Sequence, residues 1–181
     1  MQPYAFRYGR RKSECALFRR NARMTNNRVL VLGVGNLLMG DEGVGVHAVH
    51  LLEQKSLPPE VDVVDGGTGG FHLLSYLQDY GTVVMIDASM DGKPFGTLSV
   101  IKPRFATDFP RSLSAHDIGL RDLIESAALL GPLPNIYLLT VSIPELQPMS
   151  TQLTPAVAAA VPQVIAQVQS ILAAIFKNEA L

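Results

Sequence analysis

A chain of 181 residues, 48% hydrophobic and 17% charged, can bury one sizeable core and reads as a single folded domain. No uninterrupted apolar run of 18 residues is present, which argues against a membrane span. The net charge of −1 conceals an asymmetry: residues 1–24 hold seven of the 15 Lys and Arg with one acid, which leaves a body near −7 without the basic footprint of a nucleic-acid binder.

The basic start, residues 1–27, is expected to be a disordered leader before one domain spanning residues 28–178. A secretory or twin-arginine signal needs an apolar region, and Ala16, Leu17 and Phe18 are cut short by Arg19. A transit peptide is the other reading of a basic segment poor in acids. The only cysteine, Cys15, lies in this leader, so the domain has no disulfide and no thiol nucleophile. That usage fits a reducing compartment, the cytoplasm.

Val29 to Leu32 form an unbroken apolar, largely β-branched run, the pattern of a strand buried on both faces. Gly33 and Gly35 end it, and Asn36 to Gly40 carry the chain over the strand end. Asp41 is read as the cap of a helix whose first turn holds Glu42. Gly-x-Gly after a strand also suggests a dinucleotide site, but Leu38 stands where the third glycine is required. Asp41 and Glu42 further oppose it, because they put negative charge where a phosphate would sit.

Val44 to about Gln54 continues as an amphipathic helix with His47 and His50 three apart. No Glu follows His47, so the metalloprotease helix signature is absent, and both histidines are read as solvated or satisfied by packing. Pro58 and Pro59 precede a strand over Val61 to Val64 that ends in Asp65 and the loop GGTGG. Asp65 there is a candidate base or peptide-binding acid, or a turn cap. A short helix over Phe71 to Tyr80 turns Leu73, Leu74 and Leu77 inward and His72 outward.

The third strand, Thr82 to Ile86, also ends in an acid, Asp87; Ala88 and Ser89 are read as entering a loop, and Thr97 to Ile101 as a fourth strand. Glu42, Asp65 and Asp87 thus fall at the carboxyl ends of three probable parallel strands, where open α/β sheets collect ligands. Carboxylates gathered there repel one another and raise at least one pKa unless a cation joins them.

Lys102 to Arg111 reads as a long loop, followed by Ser114 as cap of a helix from Asp117 to Leu130. His116 stands at that helix start, where the dipole favours the neutral imidazole that metals bind. Ile136 to Ile143 is the last strand. Thr154 and Pro155 are the cap and first residue of a helix striped by Val157, Val161, Val164, Val168, Ile171 and Ile175, with Pro162 expected to kink it.

GVGNLLMGDEGVG, VDGGTGG, MIDAS, SAHDIGL, and the late IPE and LTP together resemble, in order and spacing, the hydrogenase maturation endopeptidases. Those enzymes remove a carboxy-terminal extension from the large subunit of nickel-iron hydrogenases. The resemblance covers about residues 28–176 and implies a three-layer α/β/α sandwich around a twisted, mostly parallel five-stranded sheet. It implies metal contacts at Glu42, Asp87 and His116, and a role for Asp65 in cleavage or substrate recognition. It further implies that nickel arrives inside the precursor, so that the enzyme reads completed metal insertion. Phe95 departs from the pattern by separating Pro94 from Gly96, and the leader has no counterpart.

The donor chemistry agrees: two carboxylates and an imidazole suit nickel, zinc or manganese, and three protein ligands leave positions open for a partner. Either the metal polarises the carbonyl or a water, or Asp65 or Asp87 activates water as general base. No Gly-x-Ser-x-Gly elbow competes. A nucleotide-binding α/β module and a non-catalytic nickel chaperone are the alternatives.

Overall fold

The computed structural model describes residues 27–103 and 120–178. Residues 1–26 of the leader, the cap Ser114 and His116 lie outside the described residues, as does most of the loop from Lys102 to Arg111. Five strands, β1 (Val29–Gly33), β2 (Val61–Asp65), β3 (Thr82–Ser89), β4 (Leu98–Ile101) and β5 (Asn135–Ser142), form one sheet in the order β2-β1-β3-β5-β4. Every pairing is parallel except that of β4 with β5. This is the mostly parallel five-stranded sheet expected from the sequence.

Helices cover both faces. α1 (Val44–Leu52) and α4 (Pro155–Asn178) pack on one, and α2 (Leu74–Asp79) and α3 (Leu120–Leu130) on the other. Alternation along each strand divides its side chains between two cores. Val29 and Val31 of β1 join Val84 and Ile86 of β3 under α1 and α4, whereas Leu30 and Leu32 join Val83 and Met85 under α2 and α3. Both sides are buried, which is why these strands read as continuous apolar runs.

α4 is long and apolar enough to cross a membrane by length and composition alone. Its stripe is committed elsewhere: Val157, Val161, Val164, Val168 and Ile171 are buried against the sheet, and Ile175 packs beside them. The helix opens as the sequence suggests, with the Thr154 carbonyl accepting the Ala158 amide at 2.8 Å and Pro155 as first residue, and it runs without interruption through Pro162.

One element is longer than its sequence pattern. β3 does not stop at Ile86: Asp87, Ala88 and Ser89 stay in the strand, in register with Thr140, Val141 and Ser142 of β5. The neighbour on the other side does stop, since β1 makes its last pair between Gly33 and Ile86. Strand order reverses between β1 and β3, so the step between their ends is the crevice where doubly wound sheets bind ligands.

Candidate active site

Glu42 reaches that crevice because the chain doubles back immediately after β1. Val34 donates its amide to the Ile86 carbonyl at 2.8 Å, and Gly35 then adopts φ +146°. A Cβ at Gly35 would sit 2.0 Å from the Glu42 carbonyl oxygen, so only glycine lets the returning chain lie this close. The return is a 3-10 turn, Gly40–Gly43, followed directly by α1. Gly45 presses the start of α1 onto the strand ends; its Cβ would lie 2.3 Å from the Ile86 and Val34 carbonyl oxygens. These glycines thus bring backbone against backbone, where a dinucleotide loop would leave room for phosphate.

Asp87 occupies the part of β3 that outruns β1. By strand alternation its side chain lies on the α2–α3 side, the side of Met85 and Val83. Its Oδ1 accepts the Ala88 amide at 2.8 Å. Burial pushes its pKa up from 3.8 to about 7; the Ala88 amide opposes the rise and the charge of Glu42 adds to it. Glu42 is only 6% exposed. A buried carboxyl whose ionisation a neighbouring carboxylate further disfavours forms a locus for a proton or a cation.

Asp65 does not join them. It lies two strands away on the edge strand β2, with Val61 and Val63 on the α1–α4 side of the sheet. Its Oδ2 meets the Nε2 of His50 from α1 at 2.9 Å, and its Oδ1 accepts the Gly67 amide at 2.8 Å. The turn-capping reading of Asp65 is therefore realised, with His50 as an added partner. The three acids expected along one edge resolve into a close pair, Glu42 and Asp87, and a separate Asp65–His50 pair on the opposite face.

His50 is exposed, as expected of a helical surface histidine, whereas His47 is partly buried. Burial lowers the His47 pKa, and its Nε2 has no hydrogen-bond partner among the described residues. His72 is exposed. Among the described residues no group of three or more His, Cys, Asp or Glu gathers closely enough to hold a metal, and His116 lies outside them. Glu42 and Asp87 nevertheless fit a shared cation in donor chemistry, because a positive charge would offset the burial and the neighbouring charge that lift Asp87.

Asp41 corrects the sequence reading. It makes no side-chain cap to its own turn or to α1. Fully buried, it instead accepts hydrogen bonds from the Thr154 amide (2.7 Å), the Thr154 hydroxyl (2.9 Å) and the Gln147 side-chain amide (3.3 Å). Nothing in the sequence links Gln147 or Thr154 to Asp41, because the partner lies 106 and 113 residues earlier.

The described residues thus form a doubly wound α/β domain with two acids, Glu42 and Asp87, at its switch point. Comparison with known proteins makes the class specific. The hydrogenase maturation protease family matches residues 46–171. The chain is 34% identical to the hydrogenase 2 maturation protease of Escherichia coli, over 80% of this chain and 90% of that protein. It is 36% identical to the hydrogenase expression/formation protein HupD of Bradyrhizobium diazoefficiens, over 73% and 71%. Among solved structures, the hydrogenase maturating endopeptidase HybD from E. coli superposes with a TM-score of 0.73 at 34% identity, covering 80% of this chain and 91% of that one. The hydrogenase 2 maturation peptidase from a Thaumarchaeota archaeon gives a TM-score of 0.63 at 36% identity, over 80% and 97%. The chain belongs to the hydrogenase maturation protease family, and the α/β sandwich implied by its motifs is the fold of that family.

Proposed function

We propose that this protein is the endopeptidase that removes the carboxy-terminal extension of a nickel-iron hydrogenase large-subunit precursor once nickel has been inserted. The nickel is cargo of the client, bound at the crevice through Glu42, Asp87 and His116, and another divalent ion can substitute for it. The observation that carries this reading is Asp87 at the crevice, whose pKa burial lifts to about 7 with the charge of Glu42 adding to the rise, so that a client-borne cation would favour its ionised form. A cysteine-free domain supports action in the cytoplasm.

Cleavage adds water across the scissile amide: the water oxygen bonds to the carbonyl carbon, the C–N bond breaks, and the proton released by water passes to the leaving amine. We assign Asp87 as the group that takes and returns this proton, because it is the strand-end acid that shares the crevice with Glu42. The alternative, polarisation of the carbonyl by the client's nickel, uses the same two acids as an anchor. Asp65, with the Gly66–Gly70 loop, is assigned to the client's peptide on the other side of the sheet edge.

The test is incubation of purified protein with nickel-loaded and nickel-free precursor, read by mass spectrometry. Loss of a short carboxy-terminal peptide from the loaded precursor alone supports the proposal. Equal cleavage of both removes nickel from it, and cleavage of neither removes the endopeptidase.

A further inference from the structure

We infer that Asp41 is a positioning residue: a buried clamp that ties the turn carrying Glu42 to residues 147–154 and so fixes the Glu42 carboxylate for the client's nickel. The inference rests on the nickel-recognition reading above. Three hydrogen bonds besides those to the Asp41 carboxylate join the two segments. The Asp41 amide donates to Gln147 Oε1 at 2.8 Å, the Gly40 amide to the Ser150 carbonyl at 2.8 Å as part of an isolated parallel bridge between Met39 and Ser150, and the Gln147 amide to the Met39 carbonyl at 3.3 Å.

The chemistry requires a carboxylate at position 41. Three donors arrive at its two oxygens, so both must accept. An asparagine would turn its NH2 either toward the Thr154 amide, also a donor, or toward the side-chain NH2 of Gln147. Gln147 cannot flip to accommodate it, because its Oε1 already holds the Asp41 amide. Asp41 has no exposed surface and cannot touch a client, so any effect on recognition is indirect, through the segments it joins, of which the turn carries Glu42. Its charge also lies at the N-terminus of α4, where the helix dipole favours an anion.

The clamp is tested in the full-length protein with Asp41→Asn, Gln147→Ala, Thr154→Val and Thr154→Ser, the milder three serving if Asp41→Asn does not fold. Two readouts are taken. The first is amide hydrogen exchange of residues 40–43, which should accelerate in Asp41→Asn, Gln147→Ala and Thr154→Val with little change in β1 and β3. The second is the ratio of Kd for nickel-free over nickel-loaded precursor, which should fall about tenfold or more in Asp41→Asn, the worth of a charge-assisted hydrogen bond. Thr154→Ser, which keeps both donors, should restore both readouts. Wild-type exchange at residues 40–43 in the three disruptive variants would overturn the clamp, whatever the nickel result. Faster exchange with an unchanged Kd ratio would reduce Asp41 to a stability residue and overturn its positioning role. A wild-type ratio of one would overturn the nickel reading itself, and the positioning role with it.

Discussion

Asp65 and Asp87 occupy equivalent places in the sequence, each an acid at the end of a buried apolar strand, yet the fold gives them opposite surroundings. Asp65 sits on an edge strand, its side chain 37% exposed, with one oxygen on His50 and the other on the Gly67 amide. Asp87 sits on an inner strand that outruns its neighbour, crowded beside Glu42, with its pKa raised to about 7. The difference comes from strand position and from the parity that sends the two side chains to opposite faces. An acid whose partners are in place stabilises a loop, whereas an acid held against another acid is poised for a proton or a cation.

The sharpest way to break this contrast is substitution without change of size. Glu42→Gln and Asp87→Asn are each expected to lower processing of nickel-loaded precursor by roughly 10²–10³-fold, the usual cost of one group that stabilises developing charge. His116→Ala belongs to the same test. Normal processing by all three variants, timed by gel shift of the precursor, would remove the proposed site.

Asp65→Asn should cost less, about tenfold, and appear as a raised KM with kcat nearly unchanged, if its proposed role is to hold the client's peptide away from the reacting atoms. A loss equal to that of Asp87→Asn, confined to kcat, would move the general base to Asp65 and invert the comparison.

A smaller effect is set by the sign of the Asp87 shift. Its folded pKa of about 7 lies above the ordinary 3.8, so the folded metal-free protein binds more protons than the unfolded chain between those values. Its stability therefore falls as pH rises from about 4 through about 7. Asp87→Asn, which cannot ionise, should melt higher than wild type at pH 8, and the gap should close toward pH 4. Calorimetry at the two pH values decides it; a gap that widens toward pH 4 would contradict the burial account. Smallest of all, His50→Ala should change stability by about 0–1 kcal/mol, since both partners of that pair face solvent. Urea unfolding measures this, and a loss above about 2 kcal/mol would make the pair structural.

The sequence displayed the strands and hid the faces. Continuous runs such as Val29–Leu32 and Val83–Ile86 announce strands buried on both sides, but such runs carry no period-two signal. Nothing in VDVVD or MIDAS therefore says that Asp65 and Asp87 diverge. The extension of β3 through Ser89 was equally hidden, because Asp87 looks like a stop until β5 supplies Thr140 to Ser142 as partners. Asp41 was misread for a related reason. A cap is a local inference from adjacent residues, while its real partners Gln147 and Thr154 arrive through tertiary folding. What was legible was local and chemical: the glycine-ended strand, the Thr154–Pro155 helix start, the stripe of α4, and the family motifs.

The central claim is that Glu42 and Asp87 complete the coordination of nickel carried by the client. X-ray absorption at the nickel edge, recorded on the loaded precursor alone and bound to the full-length protein with turnover arrested by cold, measures this directly. The account predicts added oxygen and nitrogen scattering on binding, diminished when Glu42→Gln is introduced. A nickel spectrum unchanged by a demonstrated complex would contradict it.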